Sequence, residues 1–263
     1  MKYLLCVACL FLYLLSLQAA GHTPYFKPHS FEPVRGDLIT LDAAFAEKFF
    51  VPEVAFANSI YLVTAPDGKT STPDSLAQFK SRVVVEHALK QDGTYRFSTG
   101  RRLGRLFKFY ELDGKRKAMK DPTQAIPEGA KLLSFFQSLT LAETYVSKGG
   151  PNNAALQPHG EGLEFVATSH PNELFVGEPL ALLSLFNGQP LADLKVDVFL
   201  AKDQFTQEKA TVELHSDANG KFIFTPETAG TYLLLARHRS EAPVSSQAKQ
   251  ISNTYTLVVE AFE

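Results

Sequence analysis

The fold class is decided by residues 179–201, whose sequence is PLALLSLFNGQPLADLKVDVFLA. Two apolar runs, 179–186 and 195–201, are separated by a polar stretch that begins with Asn187-Gly188. Asn-Gly between such runs is the strongest short-range turn signal, because both residues tolerate a positive φ. The stretch therefore predicts two β-strands separated by a turn.

The rest of the second half repeats this pattern, with further turn signals at Asn219-Gly220 and Ala229-Gly230. Seven short strands in about a hundred residues are typical of an immunoglobulin-like or transthyretin-like sandwich. The candidate strands are residues 162–168, 179–186, 195–201, 210–215, 221–225, 231–238 and 253–260.

The first half has the same strand periodicity. Apolar residues alternate with polar ones between Ile39 and Phe45, as in a half-buried strand. Residues 113–129 form a polar stretch that predicts a loop. Further strands are predicted at residues 59–65, 82–89, 94–98, 105–112 and 139–146.

The two halves also share a short motif. Gly93-Thr94-Tyr95 and Gly230-Thr231-Tyr232 each lead into a late strand, which resembles the tyrosine corner of Greek-key sandwiches. Between the halves, residues 148–160 contain Gly149-Gly150-Pro151 and have the composition of a linker. We therefore predict an all-β chain with two β-sandwich domains, at 22–147 and 161–263, the second immunoglobulin-like or transthyretin-like.

Residues 1–21 are typical of an export signal. Lys2 precedes the apolar run 4–17, and Ala19-Ala20-Gly21 supplies the small residues at which signal peptidase cuts. Both cysteines, Cys6 and Cys9, lie in this segment, and lipid attachment at Cys9 is the alternative to cleavage. Removal of the signal leaves a chain without cysteine, which excludes disulfides and thiolate zinc sites. No membrane-spanning segment is predicted after the signal.

Charge and motifs exclude several functional classes. The formal net charge of −2 gives no electrostatic reason to expect nucleic acid as a partner. The basic residues clustered at 101–117 are typical of two solvated strand ends, with an anion or an acidic surface as the alternative. No nucleophile elbow, phosphate-binding loop or His-Glu-x-x-His motif is present, so we do not expect an enzyme.

His22 is the sharpest candidate for chemistry. Cleavage after Ala19, Ala20 or Gly21 places this imidazole within three residues of a free α-amine, and cleavage after Gly21 makes His22 the first residue. An amine and an imidazole on one residue chelate a metal ion without closing a distant loop, and imidazole suits Zn, Cu, Fe and Ni. The alternative is a histidine on a frayed terminus.

Two more histidines are candidate ligands. His87 shares a strand face with Val83 and Val85, which also fits a histidine at the edge of the core. His238 comes at the end of a predicted strand, where strands open onto loops. His29 is close enough to His22 in the chain to join its site, with a solvated loop residue as the alternative. His159, His170 and His215 are more typical of turns and the surface.

Several stretches of the chain together carry a family resemblance. They are His22-Thr23-Pro24-Tyr25, residues 49–53, Glu86-His87, residues 93–96, residues 102–105, residues 170–174 and residues 234–239. Together they resemble a bacterial periplasmic family of uncharacterised proteins associated with nickel uptake. Members have a histidine directly after the signal, which matches His22, and another at the end of a late strand, which matches His238.

The resemblance implies a periplasmic accessory protein that binds or delivers nickel or cobalt, with copper as the alternative and a membrane metal-uptake transporter as partner. The predicted metal ligands are His22, His87 and His238. A second hypothesis is a non-catalytic envelope protein for adhesion or for carbohydrate or protein binding without metal. A third is an enzyme, either a copper oxidase with a histidine brace or a hydrolase that uses carboxylates.

Overall fold

The computed structural model describes residues 22–34, 36–201 and 210–263. The predicted signal at 1–21, with Cys6 and Cys9, lies outside the described residues. In the described part of the chain, strands account for almost all regular structure, and the one helix is a 3-10 turn at Ala154–Leu156. The prediction of an all-β chain is confirmed.

The strands are short and follow one another closely along the chain. In chain order they are β1 (Thr23–Pro28), β2 (Leu38–Ala46), β3 (Val54–Ala55), β4 (Leu62–Thr64), β5 (Thr70–Ser71), β6 (Ser75–Gln78), β7 (Val83–Ala88), β8 (Gly93–Ser98), β9 (Arg102–Leu112), β10 (Lys115–Ala118), β11 (Lys131–Lys148), β12 (Leu163–Ala167), β13 (Leu180–Phe186), β14 (Gln189–Pro190), β15 (Lys195–Leu200), β16 (Val212–His215), β17 (Lys221–Phe224), β18 (Gly230–Glu241) and β19 (Gln250–Ala261).

These strands form three sheets. Sheet A has the order β1-β2-β7-β6, with β3 paired to β2. Sheet B has the order β16-β15-β18-β19-β11-β8-β4-β5, with β9 and β10 attached at the edge of β11. Sheet C has the order β12-β13-β14, with β17 paired to β13. Sheet B therefore contains strands from both halves of the chain.

Sheet B lies between the other two, and its long strands bury side chains on both faces. Leu233 and Leu235 of β18 pack with Tyr25 of sheet A in one apolar cluster. The alternate residues Tyr232 and Leu234 pack in another cluster with residues of sheet C. Because side chains alternate along a strand, one strand supplies both cores.

The two halves of the chain meet where β11 and β19 pair in parallel, from Phe136↔Gln250 to Thr144↔Val258. A side-chain hydrogen bond reinforces this pairing, since Thr144 Oγ1 donates to the Val258 carbonyl at 2.9 Å. Parallel neighbours need a long connection, and here the whole second half of the chain forms that connection.

The shared motif has the same geometry in both halves. Tyr95 donates its hydroxyl hydrogen to the Gln91 carbonyl at 3.0 Å, and Tyr232 donates to the Thr228 carbonyl at 2.6 Å. Each tyrosine thus bonds four residues upstream, as in a tyrosine corner. The resemblance to a tyrosine corner is therefore present in both halves.

One local expectation was wrong, and several short strands were not predicted. Residues 113–129, predicted as a loop, contain β10, because Asp113-Gly114 turns the chain back onto β9. β1 was among the strands not predicted, and its Pro24 and Pro28 lack an amide hydrogen for a ladder. It lies at the end of sheet A and pairs with β2, and an edge strand tolerates proline on its outer side.

The proposed boundary at 148–160 stays a prediction. At this position β11 ends at Lys148, and the 3-10 turn follows. Ala155 and Leu156 of that turn are buried, and Leu156 packs in the apolar cluster between sheets B and C. Among the described residues, no helix is long and apolar enough to cross a membrane.

Truncation of a side chain in the cluster between sheets A and B tests whether that layer carries stability. Leu233 is fully buried there, so Leu233→Ala is expected to lower the free energy of unfolding by about 2–5 kcal/mol. Ile60, which is 72% exposed, provides the control, and Ile60→Ala is expected to change the free energy of unfolding by roughly 0.5 kcal/mol or less. Denaturant unfolding followed by circular dichroism measures both, and equal effects would contradict the three-layer packing.

Candidate functional site

His22 stands directly before β1, and its imidazole contacts a carboxylate. His22 Nδ1 lies 3.0 Å from Glu53 Oε2, and both side chains are partly exposed. The residue is thus held beside sheet A by the strand that follows it and by this contact.

Glu53 is itself fixed by its local structure. Its amide donates to the Phe45 carbonyl at 3.2 Å, at the end of β2. Its Oε1 accepts a hydrogen bond from the Glu47 amide at 2.8 Å. With one carboxylate oxygen held by the backbone, the other is directed at His22.

The distance between these two atoms suits ligands of one ion. Nitrogen and oxygen ligands lie about 2.0–2.2 Å from a transition metal, so two of them at a right angle are about 3.0 Å apart. Nδ1 is also the ring nitrogen nearer to the backbone of its own residue, and therefore the one that chelates together with the α-amine. The His22–Glu53 pair is a candidate metal site on these grounds.

His87 lies at the other end of sheet A. It pairs with Ile39 of β2, whereas β1 starts opposite Ala46. Seven residues of strand separate these two positions, which corresponds to roughly 24 Å.

The surroundings of His87 are those of a core histidine. Its ring packs edge-on against Tyr95 and Phe97, with Nδ1 3.2 Å from Asp74 Oδ2 in an orientation that makes no hydrogen bond. Desolvation outweighs Asp74 and lowers the pKa of His87, which favours the neutral ring.

His238 lies on the far face of sheet B. The preceding residue, Arg237, donates to Thr23 Oγ1 at 3.2 Å and so points toward sheet A. Alternation along β18 directs His238 the other way, where its ring lies 4.7 Å from that of Phe186. Desolvation lowers the pKa of His238.

The structure therefore places His22, His87 and His238 at three separate positions. Residues 22–34, 36–201 and 210–263 contain no group of three or more His, Cys, Asp or Glu side chains arranged to hold a metal ion. Metal binding by the His22 imidazole together with its own α-amine does not require such a group and stays a prediction.

A polar cluster that the sequence analysis did not identify lies on the face of sheet B that is directed toward sheet C. Glu143 of β11 is 1% exposed and accepts hydrogen bonds from His159 Nε2 and the Tyr255 hydroxyl, both at 2.8 Å. Arg96 of β8 approaches the same carboxylate at 3.9 Å. We call Arg96, Glu143, His159 and Tyr255 the buried ionic cluster.

A second buried carboxylate anchors the segment that carries His159. Glu164 of β12 is also 1% exposed, and its two oxygens accept the amide hydrogens of His159 and Gly160 at 2.7 and 2.8 Å. Arg96 donates to the Gln157 carbonyl at 2.7 Å. These bonds tie residues 157–160 to strands from both halves of the chain.

Burial and charge act in opposite directions in this cluster. Burial alone disfavours the ionised form of Glu143, but the positive charges of His159 and Arg96 and the hydrogen bonds outweigh it and lower its pKa to about 2. Burial likewise disfavours protonated His159, yet Glu143 raises the pKa of that imidazole. The carboxylate and the imidazolium therefore stabilise each other's charged form, and the hydrogen bond between them lies within the protein.

A weak signal for this cluster exists in the sequence. Glu143 interrupts the apolar run LTLAETYV at 139–146, and Arg96 interrupts the strand GTYRFS at 93–98. Charged residues in buried strands are almost always paired. His159 was interpreted as a surface residue because it lies in the predicted linker, and its partner Glu143 is 16 positions earlier in the chain.

Comparison with protein families assigns the chain. Residues 19–240 match the family described as a domain of unknown function, DUF4198. The chain belongs to this family. The match carries no link to nickel uptake, and no curated protein matches the chain.

Solved structures give distant likenesses. The D0-D1 domain of intimin matches with 13% identity and a TM-score of 0.22, over 90% of this chain and 97% of that one. The adhesin InvE of Yersinia pseudotuberculosis matches with 10% identity and a TM-score of 0.21, over 91% and 58%. The FN1-FN3 domains of chicken CNTN1 match with 7% identity and a TM-score of 0.25, over 92% and 100%.

The buried ionic cluster predicts a pH dependence of stability. Glu143 has a lowered pKa in the folded state, so its contribution is present above the unfolded value near 4.5 and is lost as the pH falls toward 2. His159 has a raised pKa, so its contribution is present below about 6.5 and is lost as the pH rises through the folded value. The contributions overlap between pH of about 5 and 6.5.

Glu143→Gln tests this assignment. Removal of one partner of a buried ion pair is expected to cost about 3–5 kcal/mol of unfolding free energy near pH 6 and much less near pH 2. Urea unfolding across this pH range measures the difference, with the exposed Glu178→Gln as the matched control. A Glu143→Gln loss that does not change with pH would contradict the ion pair.

Proposed function

We propose that this protein is an exported, non-catalytic transition-metal-binding protein whose site lies at the N-terminal tip of the processed chain. The observation that carries the proposal is the 3.0 Å contact between His22 Nδ1 and Glu53 Oε2. With the signal removed after Gly21, the α-amine of His22 adds a third donor to these two.

The donor set fits the divalent ions that the family resemblance implies. Two nitrogens and one carboxylate oxygen suit Ni(II), Co(II) and Cu(II), and Cu(II) binds tightest among them in a site of given ligands. The site leaves positions open for water or for a ligand from a receiving protein, as delivery requires. A periplasmic location and a membrane metal-uptake transporter as receiver belong to the same proposal.

The second candidate is a binding protein of the cell envelope that acts without metal. It is favoured by a different observation, an apolar and basic three-stranded ribbon formed by β9, β10 and the start of β11. That surface does not contain His22.

Metal titration of the protein purified from its own export pathway tests the proposal. Intact mass first establishes whether His22 is the N-terminal residue, and isothermal titration with Cu(II) and Ni(II) then measures affinity. We expect one site per chain, a loss of about a hundredfold or more in His22→Ala, and a loss of roughly tenfold in Glu53→Gln.

Two controls separate this site from adventitious binding. Acetylation of the α-amine keeps the imidazole but removes the amine as a ligand, and we expect it to weaken binding nearly as much as His22→Ala. His29→Ala removes a histidine that is 60% exposed and is expected to leave affinity unchanged. Equal affinity of His22→Ala and the unaltered protein would contradict the proposal, as would a mature chain that starts well after His22.

A further inference from the structure

One surface of the described residues is a ribbon of strands without buried side chains. Residues 102–139 comprise β9, β10 and the first nine residues of β11, and we call them the arm. The structure describes all of them, and none is buried. In the same strand β11, every residue from Thr140 to Ser147 is buried.

The arm is nonetheless rich in large apolar side chains. Leu103, Leu132 and Leu133 are 60%, 50% and 42% exposed. Phe107, Phe109, Phe135 and Phe136 are half-buried, and they owe this to contacts with one another and with neighbouring side chains. A ribbon about 30 Å long thus carries apolar groups without a core beneath it.

Apolar groups occur on both faces of the ribbon. On one face Phe107 stacks on Phe136, with ring centroids 5.3 Å apart. Phe135 lies opposite Lys108 in the ladder and therefore points to the other face. A partner that covers this apolar surface has to surround the ribbon rather than dock on one side.

The arm is positively charged within a chain that is slightly negative. It contains eight basic and four acidic residues, a formal net charge of +4, whereas the whole chain has −2. Several cations lie over aromatic rings, with Lys108 4.4 Å from the centroid of Phe135 and Arg116 4.4 Å from that of Phe109. The positive charge is therefore interleaved with the apolar surface.

A second copy of this chain is a poor occupant. The outer strand of the arm, β10, consists of Lys115, Arg116, Lys117 and Ala118. Pairing it with the same strand of another copy sets like charges against each other, and charged edge strands oppose such association.

We propose that the arm inserts into the interface of an anionic phospholipid surface. A lipid interface combines negative head groups with an acyl boundary that surrounds an inserted ribbon on both faces. Phenylalanine and leucine side chains enter that boundary, while the long basic side chains reach the phosphates. This docking does not depend on the proposed metal site, since His22 and Glu53 lie outside the arm.

Vesicle flotation with the full exported protein tests the proposal. We expect binding to vesicles of phosphatidylcholine mixed with phosphatidylglycerol, weaker binding at high salt, and little binding to pure phosphatidylcholine. No binding to the anionic vesicles, or equal binding to both kinds, would overturn it. Concentration-dependent dimers in sedimentation velocity that require Lys115–Lys117 would instead assign the arm to self-association and would also overturn it.

Variants separate the charged and apolar contributions. The triple change Lys115→Gln, Arg116→Gln and Lys117→Gln is expected to reduce partition into anionic vesicles by about a hundredfold. The double change Leu132→Gln and Leu133→Gln is expected to reduce the partition into anionic vesicles as well. Neither variant should alter folding, because none of the replaced side chains is buried. The matched control replaces the exposed Lys80, Lys90 and Lys221 by glutamine and is expected to bind like the unaltered protein.

The absence of tryptophan from the chain allows a direct readout of insertion. Phe107→Trp and Phe135→Trp place one indole on each face of the arm. Both are expected to shift their emission to the blue on addition of anionic vesicles, while Phe79→Trp, at a 57% exposed position outside the arm, is expected not to shift. A shift on one face alone would mean docking on a flat surface and would overturn insertion.

Discussion

The structure depends on the parallel pairing of β11 with β19. This ladder joins strands from the two halves of the chain into one sheet, and both faces of that sheet are then covered, one by sheet A and the other by sheet C. The side chains of the long strands β18 and β19 therefore alternate between the two faces of the sheet, and each face contributes to a different core. Loss of this pairing would expose apolar surface on both sides at once.

The same ladder explains why charged groups lie inside the protein. Glu143 is on the face of β11 that is directed toward sheet C, next to Tyr255 of β19 and beneath the segment that carries His159. A buried carboxylate is costly unless it is paired and hydrogen-bonded, and here two strands, β8 and β19, and the connecting segment supply its partners. The cluster fixes residues 157–160 at the point where the chain passes from one half to the other.

Two surfaces outside the core formed by the three sheets carry the functional proposals. The N-terminal tip combines an imidazole with a carboxylate that the backbone holds in place. The arm continues β9 and β11 beyond the edge of the core, so its phenylalanines and leucines have no layer to cover them. The first surface has the chemistry of a cation site, and the second, basic and apolar, has the chemistry of a surface that binds an anionic interface; the two lie on different strands.

The sequence alone determined the fold class, because strand periodicity and turns such as Asn187-Gly188 are local properties of the chain. It also determined the tyrosine corners, since each bond spans four residues. Only the tertiary structure decided which histidines have carboxylate partners, because Glu53 and Glu143 reach His22 and His159 through strand order and register. Alternation along β18 and the length of sheet A then keep His238 and His87 away from His22, and no local pattern contains that information.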